Sequence, residues 1–131
     1  MRREKEIEIR WADLDAFGHV NHVVFLTYLE EARDEWLGSV LGDPAGVWGF
    51  VVARVEIDYR RELTIADDAV VCSCELERIG NSSVVTREAV ATRSGEVAAE
   101  AKAVLVARDE ETGRSRPLAA SERGAFERAL V

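Results

Sequence analysis

The sequence predicts an α+β fold in which one long helix packs on a mostly antiparallel sheet. The stretch from His22 to Leu41 places apolar side chains at the spacing of a helix. Five other stretches alternate apolar and polar residues, as half-buried strands do. Turn signals at Gly80-Asn81 and Ser94-Gly95 separate the later stretches, which favours hairpins. The expected order is therefore strand, helix, four strands and a small terminal helix.

The individual elements follow from the same patterns along the chain. The predicted strands are Glu6–Trp11, Val47–Arg60, Val70–Glu77, Ser83–Thr92 and Val97–Ala107. In the first strand, Ile7, Ile9 and Trp11 share the face that we expect to be buried. The polar face of the helix is predicted to hold Glu30, Glu31, Arg33, Asp34 and Glu35. Alternate alanines in the last strand leave room for this helix to lie close to the sheet.

The second strand and the end of the chain are predicted less directly. Val51, Ala53 and later apolar residues of the second strand fall on one parity, which predicts one buried face. Thr64–Asp68 is a turn, and Ser121 is expected to cap a terminal helix that runs to Leu130. The sheet would keep uncovered edges, so we expect the chain to self-associate.

Length and charge limit what the protein can be. At 131 residues the chain forms one domain, which we place over residues 1–131. The net charge of −8 argues against general nucleic-acid binding, which depends on Lys and Arg side chains that neutralise phosphates. No apolar run approaches the roughly 18 residues that cross a bilayer, and the N-terminus lacks the apolar core of a signal peptide. We therefore expect a cytoplasmic protein that acts apart from membranes and nucleic acid.

The two cysteines, Cys72 and Cys74, lie one residue apart in a predicted strand. Side chains at that spacing project from the same face and suit neither a relaxed disulfide nor a complete metal site. We expect two small core residues in a reducing compartment.

The loop between the first strand and the helix concentrates the reactive side chains. Two aspartates, both histidines, a glycine and an asparagine fall between Asp13 and His22. A carboxylate just before a helix lies near the positive end of the helix dipole. The free N–H groups of the first helical turn can receive an anion or a developing oxyanion. A base beside an oxyanion hole is the minimum equipment for acyl transfer or hydrolysis.

Each loop residue also has an ordinary structural role available. Either Asp13 or Asp15 can accept loop N–H groups, as aspartates before helices often do. In the same way, His19 can order the loop and Asn21 can cap the helix. The spacing of the histidines and aspartates matches no standard metal site, so we expect no metal.

The combined pattern DxDxxGHVNxxxxxxYxEEAR, which begins at Asp13, resembles the 4-hydroxybenzoyl-CoA thioesterase family of the hotdog fold. Supporting marks of lower specificity are Asp58-Tyr59-Arg60, the hairpin from Ile79 to Ser83, and Thr112-Gly113-Arg114. The resemblance covers most of the chain. It implies a five-stranded antiparallel sheet wrapped around one long central helix. It also implies homodimers or homotetramers with active sites between subunits.

The resemblance further implies an enzyme that hydrolyses a small or medium acyl- or aroyl-CoA. The catalytic carboxylate of the family falls on Asp15, as nucleophile or general base, and the oxyanion donor falls on the backbone N–H of His22. Many relatives have a second asparagine where this chain has His22. The residues expected to contact substrate are Gly18, His19, Asn21, Phe25, Arg60, Arg61 and Ser83. No cofactor is expected, because coenzyme A is part of the substrate.

Other functions remain compatible with the sequence. An acyl-carrier-protein substrate presents the same phosphopantetheine arm as coenzyme A. A hotdog enoyl-CoA hydratase would use Asp15 with His19, although the surrounding residues look unlike the motifs of those families. A non-catalytic acyl-CoA-binding module would leave Asp15 as a loop residue. A rival thioesterase branch takes its carboxylate from within the helix, for which Glu30, Glu31, Asp34 and Glu35 are available, but the DxD loop favours Asp15.

Overall fold

A computed structural model describes residues 1–130 as five strands and two helices joined by turns and 3₁₀ segments. The strands are β1 (Arg2–Glu8), β2 (Phe50–Tyr59), β3 (Ala69–Ile79), β4 (Ser83–Thr92) and β5 (Val97–Ala107). The helices are α1 (His22–Leu41) and α2 (Ala120–Ala129). The strands form one sheet in the order β1-β3-β4-β5-β2, and every neighbouring pair is antiparallel. The predicted α+β class and the five-stranded antiparallel sheet are confirmed.

Helix α1 has clear signals at both ends. The side chain of Asn21 accepts a hydrogen bond of 3.0 Å from the N–H of Val23, which caps the first turn. At the other end Gly42 adopts a left-handed conformation with φ of 73°, as residues after helices often do. The predicted bounds of this helix are therefore correct.

The core lies between α1 and the sheet and has two parts. Near the start of α1, Phe25 and Leu29 pack with buried residues of β3, β4 and β5. Near its end, Trp36 and Leu37 pack with β4, β5 and α2, where the ring of Phe126 stacks on Trp36 at 6.4 Å. Within residues 1–130, neither helix is long and apolar enough to cross a membrane.

The buried ion pair between Arg33 and Glu88 corrects the predicted polar face of α1. The guanidinium of Arg33 donates to both carboxylate oxygens of Glu88, at 2.8 and 2.9 Å. Their side chains are only 5% and 0% exposed. The hydroxyl of Thr86 donates to the same carboxylate at 2.6 Å. Arg33 therefore faces the sheet, because Glu88 in β4 supplies a charged partner that the pattern of α1 alone does not show.

The first strand ends earlier than predicted. It covers Arg2–Glu8, and a 3₁₀ turn follows from Trp11 to Asp13. The carboxylate of Asp13 accepts the N–H of Arg10, which turns the chain away from the sheet. As a result Trp11 is 81% exposed, and its predicted burial beside Ile9 is wrong.

Strand β2 forms one edge of the sheet and also departs from its predicted pattern. Its pairing with β5 shifts between Val52 and Arg54, as in a β-bulge. Beyond a bulge, side chains that would have faced one side of the sheet face the other. The prediction that one set of alternate residues of this strand is buried is therefore wrong. Val51 and Tyr59 are 41% and 45% exposed, and only Val55 and Ile57 of that parity are half-buried.

The terminal helix begins one residue before its predicted cap. Ala119 occupies the capping position, and Ser121 lies within the first turn of α2. The carboxylate of Glu122 accepts the N–H of Ala119 at 2.8 Å and so replaces the expected Ser121 cap.

Candidate active site

The loop between β1 and α1 folds back on itself as a short hairpin. Its two arms, residues 13–15 and 19–21, pair through backbone hydrogen bonds. The N–H of Asp15 donates to the carbonyl of His19 at 2.8 Å, and the N–H of Asn21 donates to the carbonyl of Asp13 at 2.9 Å. At the tip, Gly18 has φ of 80°, a conformation that favours glycine. The hairpin therefore brings Asp15 close to the start of α1.

The carboxylate of Asp15 is half-buried and held from one side. Its Oδ1 accepts the N–H of Phe17 at 2.9 Å and the N–H of His19 at 3.2 Å. Within residues 1–130, Oδ2 accepts no hydrogen bond. Backbone donors thus orient the carboxylate while one oxygen remains available for a proton or an electrophilic carbon.

The first turn of α1 presents a backbone donor beside this carboxylate. The N–H groups of Val23 and Val24 donate to Asn21, at 3.0 and 2.8 Å. The N–H of His22 has no acceptor in the part of the chain that the structure describes. A free N–H at a helix start can receive the developing charge of an oxyanion.

Asp13 has a different environment from Asp15. It is 1% exposed and accepts hydrogen bonds from the hydroxyl of Tyr28 at 2.6 Å and from the backbone and guanidinium of Arg10. Burial opposes its ionisation, but these hydrogen bonds outweigh burial and lower the pKa of Asp13 below its usual value. The two aspartates of the motif therefore differ, because the carboxylate of Asp13 is already hydrogen-bonded to other residues of the chain.

A cavity of about 360 Å³ opens beside the hairpin. The residues that line it are Asp15, His19, Val20, His22, Phe25, Tyr59, Arg60, Arg61 and Glu62. The structure thus brings together six of the residues predicted from sequence, and both charged and aromatic groups face one space. Of the other predicted residues, Gly18 forms the hairpin tip, and the side chain of Asn21 is engaged in capping α1.

Ser83 lies far from this cavity in the same chain. It pairs with Val106 at one end of β5, whereas Tyr59 pairs with Ala99 near the other end. Seven residue steps along a strand span about 23 Å. Within one chain the structure does not bring Ser83 to the other predicted residues.

The basic side chains of the cavity have acidic partners. Arg60 contacts Glu100 at 3.0 Å, and the Nε2 of His19 lies 3.2 Å from Glu62. Arg61 is more firmly held, with Asp67 at 3.2 Å and Glu96 at 3.1 Å. Since Arg60 makes a single exposed pair, it is the cation that a negatively charged ligand can recruit most easily.

Two residues of this region were not predicted to be site residues, although Tyr59 belongs to the Asp58-Tyr59-Arg60 mark of the family resemblance. Tyr59 donates its hydroxyl to the carbonyl of His22 at 2.8 Å, and its ring meets Phe25 edge-on at 5.2 Å. Glu62 lines the cavity opposite His19. Tyr59 could have been chosen as a site residue from its position at the end of a predicted strand, whereas no local sequence pattern points to Glu62. In residues 1–130, no group of three or more His, Cys, Asp and Glu side chains is placed to hold a metal.

The loop and helix are part of a longer match to a known protein family. The model of the thioesterase-like superfamily matches residues 9–126, which include the hairpin, α1 and the whole of β2 to β5. The chain belongs to the thioesterase-like superfamily. This membership confirms the predicted resemblance to acyl-CoA thioesterases of the hotdog fold.

Individual members of this superfamily match most of the chain. Long-chain acyl-CoA thioesterase FadM of Escherichia coli is 30% identical over 117 residues, which cover 86% of this chain and 87% of FadM. A thioesterase from Thermus thermophilus, solved in complex with coenzyme A and Zn, is 34% identical with a TM-score of 0.86. That alignment covers 96% of this chain and 92% of the other. A predicted thioesterase from Bacillus stearothermophilus aligns with a TM-score of 0.88 at 26% identity, over 98% and 96% of the two chains.

Proposed function

We propose that this protein is an acyl-CoA thioesterase that uses Asp15 and the N–H of His22. The observation that carries the proposal is that Asp15 and His22 line the same cavity at the start of α1. Membership of the thioesterase-like superfamily supports thioester hydrolysis. Coenzyme A is the favoured carrier because FadM is an acyl-CoA thioesterase and the Thermus thermophilus thioesterase binds coenzyme A. We expect a small or medium acyl or aroyl group as the part of the substrate that enters this cavity.

In the proposed reaction the thioester carbonyl points at the N–H of His22. Asp15 removes a proton from water, the water oxygen bonds to the carbonyl carbon, and the C–S bond then breaks. The products are a carboxylic acid and the thiol of coenzyme A, whose sulfur receives the proton that Asp15 took from water. The alternative is direct attack by Asp15 on the carbonyl carbon: the C–S bond breaks, coenzyme A leaves as a thiolate, and water then hydrolyses the mixed anhydride, which releases the acid, restores Asp15 and supplies the proton for the thiol. Neither route needs a cofactor beyond the coenzyme A of the substrate.

Substrate contacts follow from the positions around the cavity. Phe25 and Tyr59 offer an apolar wall for the acyl group, and the side chain of His22 lies at the mouth. Arg60 is the better candidate for a coenzyme A phosphate, since an exposed ion pair contributes only about 0–1 kcal/mol and is readily exchanged. Arg60→Ala should raise KM for acyl-CoA at low salt without changing kcat. An unchanged KM would remove Arg60 from the binding site.

The assembly and location are part of the same proposal. Strand β2 leaves one backbone edge unpaired within residues 1–130, and Val51 and Val52 are exposed beside it. We expect pairs of chains to cover this edge, as a homodimer or homotetramer in the cytoplasm, with the sheet wrapped around α1 as the central helix. Light scattering measures the mass in solution. A clean monomer at micromolar concentration would contradict the assembly.

The deciding experiment compares Asp15→Asn with Asp109→Asn, a matched change in a turn outside the cavity, where the aspartate Oδ1 likewise accepts two backbone N–H groups. Loss of a positioned base costs roughly 100- to 10,000-fold in rate. Thiol release from acyl-CoA thioesters of differing length and aromaticity should fall to that extent in Asp15→Asn only. Equal turnover by Asp15→Asn and wild type would sink the assignment.

The same assay separates the other functions. Faster cleavage of acyl-carrier-protein thioesters than of acyl-CoA thioesters would indicate that acyl carrier protein, and not coenzyme A, carries the substrate. Hydration of an enoyl-CoA without thiol release would indicate a hydratase, and tight binding with neither product would indicate a binding module. The fold and the cavity are common to all three, so product analysis is the measurement that distinguishes them.

A further inference from the structure

Asp13 connects the hairpin to the body of α1. Its carbonyl accepts the N–H of Asn21, the residue directly before His22. Its carboxylate accepts the hydroxyl of Tyr28 at 2.6 Å, six residues into the helix from His22. The same carboxylate accepts the N–H and guanidinium of Arg10 at the end of the preceding segment. One buried side chain therefore ties the strand end, the hairpin and the helix together.

This connection determines the separation of the two groups assigned to the reaction. Asp15 lies two residues after Asp13 on the first arm of the hairpin, and His22 follows the second arm. The arms pair with each other, and the N–H of Val20 on the second arm donates to the carbonyl of Leu63 at 2.7 Å. The hydrogen bond from Tyr28 to Asp13 adds a hold on the first arm, which carries Asp15, and it comes from the packed face of the helix, where Tyr28 is 3% exposed.

We propose that the Tyr28–Asp13 hydrogen bond is a positioning contact, which holds Asp15 and the N–H of His22 at their working separation. The proposal rests on the function assigned above, since it needs Asp15 to act on a carbonyl bound at His22. Tyr28 and Asp13 touch no substrate; they act through the hairpin. Displacement of a reacting group by about 1 Å can cost roughly 100-fold in rate.

A second contact in the molecule provides a matched control. The hydroxyl of Thr86 donates to the buried carboxylate of Glu88 at 2.6 Å, and that carboxylate also receives a guanidinium. Like the Tyr28–Asp13 bond, it runs from a hydroxyl to a buried carboxylate over 2.6 Å. Thr86 lies in β4 outside the cavity, so Thr86→Val removes an equivalent hydrogen bond without touching the hairpin.

The experiment measures kcat and KM for an acyl-CoA thioester in wild type, Tyr28→Phe, Thr86→Val and Asp15→Asn, at a temperature where all are folded. We expect both hydroxyl deletions to lower the melting temperature. Only Tyr28→Phe should lower kcat, by about 10- to 100-fold, with KM unchanged, because the group that is displaced acts on bound substrate. Amide hydrogen exchange at Asn21 should also accelerate in Tyr28→Phe and not in Thr86→Val.

Each outcome decides one statement. If Asp15→Asn is inactive while Tyr28→Phe keeps the wild-type kcat, the positioning role is overturned and the proposed function stands. If Asp15→Asn is as active as wild type, the proposed function fails, and the positioning role fails with it. An equal loss of kcat in Thr86→Val and Tyr28→Phe would also overturn the positioning role, because it would indicate that general loss of stability, and not the position of Asp15, lowers the rate. Should Tyr28→Phe not fold, Asp13→Asn decides, because it keeps the shape of the side chain and replaces the charged acceptor of the Tyr28 hydroxyl with a neutral, weaker one: a lower kcat at unchanged KM supports the role, and an unchanged kcat overturns it.

Discussion

Replacing Glu88 with glutamine should destabilise the protein strongly. The change removes the negative charge that faces Arg33, while the guanidinium remains buried with its side chain 5% exposed. Burial disfavours the charged form of Arg33, but the hydrogen bonds to Glu88 outweigh burial and raise the pKa of Arg33 in the wild type. In the variant the guanidinium also stays charged, because arginine does not lose its proton in proteins. Breaking one side of such a pair costs about 3–5 kcal/mol, a large part of the roughly 5–15 kcal/mol that stabilises a domain.

The expected shift in melting temperature follows from the size of the chain. Unfolding entropy is about 2.1 cal/mol/K per residue, so 131 residues give about 0.28 kcal/mol/K. A loss of about 3–5 kcal/mol then lowers Tm by about 10–18 °C. Circular dichroism at a fixed protein concentration measures Tm, and the fixed concentration removes any effect of self-association.

The double variant Arg33→Met with Glu88→Gln tests the reasoning. It removes the uncompensated charge and keeps the hydrogen bond from the hydroxyl of Thr86 to the side chain at position 88. We expect it to be more stable than Glu88→Gln alone, with a coupling energy of about 2 kcal/mol or more in the double-mutant cycle. A Glu88→Gln variant that loses less than about 1 kcal/mol, the range of exposed pairs, would refute the argument that this pair is buried and desolvated.

Three further outcomes follow from single features. Hydrogen bonds lower the pKa of Asp13 in the folded state below the usual 3.8. The ionised carboxylate therefore stabilises the fold above that pH, and this stabilisation is lost as pH falls through the lowered pKa. The urea midpoints of wild type and Asp13→Asn should converge as pH falls from about 7 to about 3. Burial raises the pKa of Cys72 to about 12, so iodoacetamide at about pH 8 should label the native chain far more slowly than the urea-unfolded chain, measured by intact mass. Gly18→Ala should cost about 1–2 kcal/mol in urea unfolding because φ is 80° there while nothing crowds the added carbon. Gly124→Ala within α2 should instead stabilise by about 0.5–1 kcal/mol.

The sequence predicted the elements whose limits are marked by local chemistry. Asn21 and Gly42 bound α1, and turn residues bound β4 and β5, so those three elements match their predicted ranges. The first strand and α2 were misjudged at their ends because carboxylates three residues away, Asp13 and Glu122, replace the expected pattern with side-chain caps. A bulge in β2 likewise depends on its partner strand and leaves no local signal.

The residues of the candidate site also divide into those that local sequence predicts and those whose positions depend on distant residues. The motif predicted that Asp15, His19 and His22 lie together, because Asp15 and His19 belong to one short hairpin and His22 follows it directly. The burial of Arg33 and the role of Tyr28 depend on residues 55 and 15 positions away, Glu88 and Asp13. Long-range partners of this kind cannot be found from the periodicity of one helix. They require the register of the sheet.

The strand order has a consequence for how the chain is made. β2 is synthesised early but, among the residues that the structure describes, pairs only with β5, which ends at Ala107. At about 5–20 residues per second, roughly 2–10 seconds pass between translation of Tyr59 and of Ala107. During that time the backbone of β2, with Val51 and Val52 beside it, has no neighbouring strand to join. We expect this interval to be the period when the nascent chain most needs a chaperone.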